Sequence, residues 1–183
     1  MKRILLIGIL AGLGTSVVNA GILSLPSIKH HPREAYYAGE ATFDFITVYV
    51  DPQLSEVESE GYTMDEDALA AGFGGGVAAS YFFTENFGIS TRAYWWDTAT
   101  SLTSVTGSAV YRYPIDQSGF APYMFAGGGG HFASEDSFES VHAGVGLEYR
   151  LTDRLGLILD YTYTWGGSDI DWALYTLGLR LQF

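Results

Sequence analysis

Cysteine is absent from this sequence. A disulfide framework and a thiolate metal site are therefore both excluded. The lipidated N-terminal cysteine that anchors a lipoprotein is missing as well.

Charged residues are scarce and mostly acidic. They make up 16% of the chain, against about 25% in typical soluble domains. The formal net charge of −12 argues against a nucleic-acid partner, because phosphate contacts need a basic face. Aromatic residues reach 15% and there are 23 glycines, yet the mean hydropathy is only +0.12. This combination is typical of strands with one apolar face and one polar or small face.

Long apolar runs are lacking, with one exception at the N-terminus. The basic residues Lys2 and Arg3 precede an apolar run from Ile4 to Leu13, and the cleavage-site residues Val18, Asn19 and Ala20 follow. Even the longer stretch from Ile4 to Val18 has only 15 residues. The stretch is shorter than the roughly 20 residues of a membrane-spanning helix. It predicts a signal peptide over residues 1–20, cleaved after Ala20. Any later crossing of a membrane must therefore use strands.

Polarity alternates with period two from Glu40 onward, after a leader of residues 21–39 that shows no periodicity and is predicted to be flexible. We predict one domain over residues 40–183, and turn signals divide it into eight strands. These are Ala41–Val50, Ala70–Phe83, Phe87–Trp96, Leu102–Tyr113, Phe120–Phe132, a sixth strand through Val141 to Tyr149, Leu155–Trp165, and a last strand through Tyr175 to Phe183.

The connections alternate between compact turns and mostly longer, polar or acidic loops, as in outer-membrane barrels. A soluble β-sandwich would expose its polar face to water. Here that face is rich in glycine, which weakens exposed strands but suits the narrow lumen of a small barrel. The predicted fold is all-β, a membrane-spanning antiparallel up-and-down β-barrel with eight strands. Its predicted lumen glycines are Gly72, Gly74, Gly76, Gly128, Gly130, Gly144, Gly146 and Gly178.

Charged residues also fall on the face predicted to line the lumen. Buried charges must pair, so we predict a cluster of ion pairs that plugs the periplasmic half, and we interpret it as a structural core rather than an ion pathway. Its residues are Arg92, Arg112, Glu148, Arg150, Asp160 and Arg180, with Asp44 on the same face. The first strand also turns Ile46, Val48 and Val50 inward.

Aromatic residues of the outer face concentrate near strand ends, which is typical of girdles at the two lipid–water interfaces. The predicted periplasmic girdle comprises Tyr81, Phe83, Phe87, Tyr111, Tyr113, Tyr123, Tyr149 and Phe183. The opposite girdle comprises Tyr49, Trp95, Tyr163, Trp165 and Tyr175.

The tail from Thr176 to Phe183 resembles the C-terminal assembly signal of outer-membrane barrels, in which Gly178, Leu181 and Phe183 stand at the pattern's positions. Leu181 departs from it, since an aromatic is commoner there. The stretches 81–88, 121–129 and 144–151 are similar to small OmpA/OmpX-like barrel proteins. The resemblance implies a bacterial outer-membrane location, outer-membrane lipid as surroundings, and the barrel assembly machinery as a partner of the last strand.

Three motifs suggest a catalytic or metal-binding site, but each has a simpler interpretation. His131, Ser134 and Glu135 resemble part of a lipid A deacylase site, but their spacing departs from that family's His-x-Ser. The adjacent pair His30-His31 has no evident third metal ligand. The acidic stretch 51–69 offers oxygen ligands for Ca²⁺ or Mg²⁺ without the spacing of a known calcium loop. We predict no enzyme activity, no cofactor and no metal site.

Two functions fit such a chain. One is a structural or surface-interaction barrel, monomeric, with acidic extracellular loops that could meet an external ligand. The other is a narrow channel for small solutes. Eight strands leave little lumen, and Phe82, Tyr94 and Trp96 would help the charges to fill it, which favours the first function.

Overall fold

The computed structural model describes residues 36–53, 71–97, 102–115, 118–132, 137–166 and 171–183. The predicted signal peptide, His30, His31, Ser134, Glu135 and nearly all of the acidic first loop lie outside these residues. Within them, no helix is long and apolar enough to cross a membrane.

Eight antiparallel strands close into one barrel, in which each strand pairs with its neighbours in sequence and β1 pairs with β8. The predicted up-and-down β-barrel is therefore confirmed. The strands are β1 Glu40–Gln53, β2 Gly72–Phe82, β3 Phe87–Trp96, β4 Leu102–Arg112, β5 Phe120–Phe132, β6 Ser137–Arg150, β7 Leu155–Gly166 and β8 Asp171–Gln182.

Alternation along each strand creates an apolar outer face. In β7, Leu159 is 54% exposed while its neighbours Ile158 and Asp160 are buried. The register sets Leu159 beside Leu147 of β6 and Leu177 of β8. Large apolar side chains thus form a continuous outer surface. Exposure of such a surface to water is unfavourable, whereas contact with lipid is favourable.

The two ends of the barrel differ. One end, here called the turn end, holds both termini of the sheet and the connections 83–86, 113–119 and 151–154. Two of its turns share one geometry, because Thr84 and Thr152 each accept hydrogen bonds from the backbone amides two and three residues later. The other end, the loop end, holds the connections 54–71, 97–101, 133–136 and 167–170.

The strand β5 corrects a predicted assignment of faces. Tyr123 was placed in the outer girdle, but it is 7% exposed and lies in the lumen, whereas Met124 is 57% exposed. The prediction that Gly128 and Gly130 line the lumen is wrong for the same reason, since both lie on the outer face of β5. Four consecutive glycines carry no polarity contrast, so nothing local to them marks which face is buried.

Some strand ends also differ from the prediction. Strand β6 begins at Ser137, where a loop to residue 140 was expected, and β1 extends to Gln53. Polar residues such as Ser137 and Glu139 suggest a loop. Yet both side chains are exposed and pair across to β5, as is possible where a strand rises beyond the lipid.

Candidate functional site

Buried ion pairs lie in the lumen near the turn end. The Arg112 guanidinium makes two bonds to the Glu40 carboxylate, at 3.0 and 2.8 Å. Arg150 bonds both Glu40 and Glu148, at 2.5 and 2.7 Å. These side chains are at most 5% exposed, so each charge depends on its partners rather than on water.

A second layer lies deeper in the barrel. Arg180 bonds Asp44 twice, at 2.7 Å each, and also reaches Glu148 at 2.6 Å. Arg92 makes a two-pronged pair with Asp160, at 3.0 and 2.9 Å. The two-pronged geometry matches the planar guanidinium to the carboxylate and fixes both side chains.

The structure places all six predicted cluster residues among these buried ion pairs, which we together call the charge cluster. It consists of Arg92, Arg112, Arg150 and Arg180 with Glu40, Asp44, Glu148 and Asp160. The four cations are matched by four carboxylates. One of these, Glu40, was not predicted from the sequence. Its position just before the apolar alternation of β1 made it look like the start of the domain rather than part of its interior.

Aromatic side chains complete the charge cluster. The Tyr123 hydroxyl donates to Asp160 Oδ2 at 2.8 Å, and the Arg92 guanidinium lies 4.6 Å from the ring centroid of Phe125. These two rings occupy the space left by glycines on β6, because a Cβ on Gly146 would lie 2.4 Å from Tyr123 and one on Gly144 would lie 2.3 Å from Phe125. Glycine in the lumen is therefore a packing requirement here.

Buried apolar side chains cluster in the lumen toward the loop end. The inward residues of β1 that the sequence singled out pack there with two tryptophans and a tyrosine. Tyr94 and Trp96 stack at 5.6 Å between ring centroids, and Trp172 lies 6.4 Å from Trp96. We call this cluster the hydrophobic plug: Ile46, Val48, Val50, Tyr94, Trp96, Ile158, Trp172 and Leu174.

A buried histidine adjoins the hydrophobic plug. His131 has no exposed surface, and its two ring nitrogens bond the hydroxyls of Ser104 and Ser140, at 2.5 and 2.6 Å. The ring also stacks on Phe138 and meets Trp172 edge-on. A deacylase-like site would need this histidine on the lipid-facing surface, so its position in the lumen argues against that chemistry.

Metal binding finds no support in the described part of the chain, where no three His, Asp or Glu side chains are grouped to hold an ion. The lumen carboxylates are already engaged by arginines. A cation would have to displace a guanidinium to reach them.

Residues 15–183 match the model of a protein family described as the outer membrane protein β-barrel domain. That match spans most of the chain. The chain belongs to this family. It is accordingly a protein of the bacterial outer membrane, and the apolar outer face of its barrel lies in lipid.

Solved barrels of the same fold are distant in sequence. Neisserial surface protein A is 17% identical, with a TM-score of 0.58 over 79% of this chain and 96% of that one. The N-terminal barrel domain of Pseudomonas aeruginosa OprF is 15% identical, with a TM-score of 0.57 over 78% and 97%. Yersinia pestis Ail, solved with the heparin analogue sucrose octasulfate, is 18% identical, with a TM-score of 0.56 over 80% and 99%. Among curated proteins, none matches this chain.

The predicted assembly residues of this outer-membrane barrel lie on the closing strand. Gly178 faces the lumen, where an added Cβ would lie 2.9 Å from Ile158. Leu181 pairs with Phe43 across the β1–β8 seam. Phe183 is 71% exposed on the outer face, and its backbone amide donates to Ala41 at 2.9 Å.

Proposed function

We propose that this outer-membrane barrel has a structural or surface-interaction role and passes no solute. One observation supports the proposal: buried side chains occupy both halves of the lumen, with the charge cluster in one half and the hydrophobic plug in the other. A hydrated ion would have to separate buried ion pairs, at a cost of several kcal/mol, and then cross a layer of packed aromatic rings. A channel has no comparable support.

The loop end supplies the surface for an interaction. In the sequence, its connections and the strand ends beside them carry acidic residues and no Lys or Arg. The acidic residues are Asp51, Glu56, Glu58, Glu60, Asp65, Glu66, Asp67, Asp97, Glu135, Asp136, Glu139, Asp169 and Asp171. Such a surface favours a cationic partner and repels a polyanion of the kind solved with Ail.

The orientation follows from the same proposal. We infer that the short connections and both chain termini of the barrel face the periplasm, as in bacterial barrels generally. We also infer export through a signal peptide cleaved after Ala20, insertion by the barrel assembly machinery through Gly178, Leu181 and Phe183, and a monomeric state. No catalytic role is included, because the buried polar groups near His131 are closed to substrate.

Conductance of purified protein in a planar lipid bilayer tests the proposal. We expect no single-channel steps from protein whose heat-modifiable mobility on gels reports a closed barrel. Reproducible steps, abolished when the protein is unfolded before addition, would overturn it in favour of a narrow channel.

A further inference from the structure

Four residues that precede β1 lie across the turn end of the barrel. Tyr36 is 6% exposed, whereas the adjacent Tyr37 is 39% exposed. The chain reverses at Gly39, whose φ of 82° is in the left-handed region that favours glycine. The Gly39 amide donates to Phe82 at 2.7 Å. This reversal directs the segment 36–39 back over the lumen instead of away from the barrel.

The Tyr36 ring lies against two arginines of the charge cluster. The Arg112 guanidinium lies 4.7 Å from its centroid, and that of Arg150 lies 4.2 Å away. The Arg112 guanidinium also lies 3.6 Å from the ring centroid of Phe82. Cation–π contacts of this kind are stronger where the cation is desolvated, as both guanidiniums are here.

Two hydrogen bonds fasten the segment at both sides of the opening. The Tyr36 hydroxyl donates to the carbonyl oxygen of Gly119 at 2.9 Å, in the connection from β4 to β5. That connection lies opposite β1 in an eight-stranded barrel. The Tyr37 hydroxyl donates to the carbonyl oxygen of Phe183 at 2.9 Å. The segment is thus a strap that spans the opening.

We propose that residues 36–39 are a lid of the barrel, with the Tyr36 ring closing the charge cluster against periplasmic water. Burial raises the pKa of the Tyr36 phenol above its ordinary value, so the ring is a neutral hydrogen-bond donor rather than a phenolate paired with arginine. The inference goes beyond the proposed function. Removing the lid exposes the charge cluster but leaves the hydrophobic plug intact, so no conductance is expected to follow.

Chemical modification of arginine tests the lid. Folded mature protein in detergent is treated with phenylglyoxal, and adducts are mapped by peptide mass spectrometry. The exposed Arg154 in the β6–β7 turn serves as an internal reference. We expect adducts at Arg154 alone among the barrel arginines of the wild type, and additional adducts at Arg112 and Arg150 in Tyr36→Ala. Tyr113→Ala, which removes an exposed tyrosine of the turn end outside the segment, is the matched control and should behave like the wild type.

Two results would overturn the lid. One is wild-type protein that already reacts at Arg112 and Arg150. The other is a folded Tyr36→Ala protein in which both stay as protected as in the wild type. If Tyr36→Ala fails to fold, Tyr36→Leu replaces it, since leucine covers only part of the area of the ring. Adducts at Arg150 above the wild-type level are then expected, and unchanged protection contradicts the proposal.

Discussion

Glu40 illustrates, at the scale of single residues, why a buried charge is hard to assign from sequence. Its carboxylate bonds Arg112 and Arg150, which come from strands far away along the chain. Only the closed barrel brings these groups together. The signal that could have revealed Glu40 was charge balance, because four lumen arginines with three carboxylates leave one cation without a partner.

Removing one carboxylate from the charge cluster tests its role in stability. Glu148→Ala should destabilise the barrel by about 3–5 kcal/mol, because Arg150 and Arg180 would lose a partner while staying buried. The measurement is the urea midpoint of unfolding in detergent or lipid. Asp153→Ala in the exposed β6–β7 turn is the matched control and should change little. An unchanged midpoint for Glu148→Ala would show that the pairs contribute nothing to the fold.

Gly144 and Gly107 offer a second comparison between the two faces of the barrel. A Cβ on Gly144 would lie 2.3 Å from Phe125 and 2.6 Å from a backbone oxygen, whereas one on Gly107 meets nothing within 4 Å. Gly144→Ala should therefore cost about 1–3 kcal/mol through overpacking, while Gly107→Ala should be neutral or stabilising. Urea unfolding of both variants decides the matter, and equal stability would contradict the tight lumen packing.

Among the strands, β7 is one whose buried and exposed faces follow from its sequence, whereas β5 is one whose faces do not. In β7 the outward residues are leucines and aromatics, and the inward ones are polar or small except Ile158, so both the strand and its faces follow from period two. In β5 Tyr123 and Phe125 are as apolar as Met124, and only the distant Asp160 and Arg92 explain why they lie inside. The local sequence is enough to predict that a strand forms. Which face of a uniformly apolar strand is buried depends on its partners across the lumen.

A charge on the lipid face tests the assignment of faces in β7. Leu159→Arg places a cation near mid-barrel on the outer surface and should cost about 2–4 kcal/mol. Asp153→Arg, in a turn outside the lipid, is the control and should be tolerated. Folding yield and unfolding in lipid vesicles are the measurements. A harmless Leu159→Arg would mean that Leu159 does not face lipid.

The closing strand carries the prediction about assembly. Deleting Phe183 removes an exposed ring and one backbone donor to Ala41. It also removes the final residue of the segment that resembles an assembly signal. We expect less protein in the outer membrane and more protease-sensitive protein in the periplasm. Fractionation with heat-modifiable mobility measures both. Phe183→Tyr, which keeps the ring, is the control and should assemble normally.

The proposed closure of the lumen belongs to the whole molecule, because it rests on two clusters of different chemistry that follow one another along the barrel. On this proposal, the charge cluster excludes solutes by its paired charges, and the hydrophobic plug excludes them by dense aromatic packing. Either layer is expected to suffice. The sequence pointed to the charged layer and to several members of the other, but their separation into two halves became visible only with the register of all eight strands.

Opening one layer alone should therefore leave the barrel closed. The double variant Trp96→Ala with Trp172→Ala removes most of the aromatic volume of the hydrophobic plug and should lower stability by several kcal/mol, since each truncation costs about 3–5 kcal/mol. Because the charge cluster stays paired, we still expect no single-channel steps from the fraction that shows heat-modifiable mobility. The matched variant is Trp95→Ala with Trp165→Ala, on the outer face. It should lose less stability and should also show no single-channel steps. Steps from the lumen variant alone would mean that the charge cluster lets ions through, and that the hydrophobic plug is the gate.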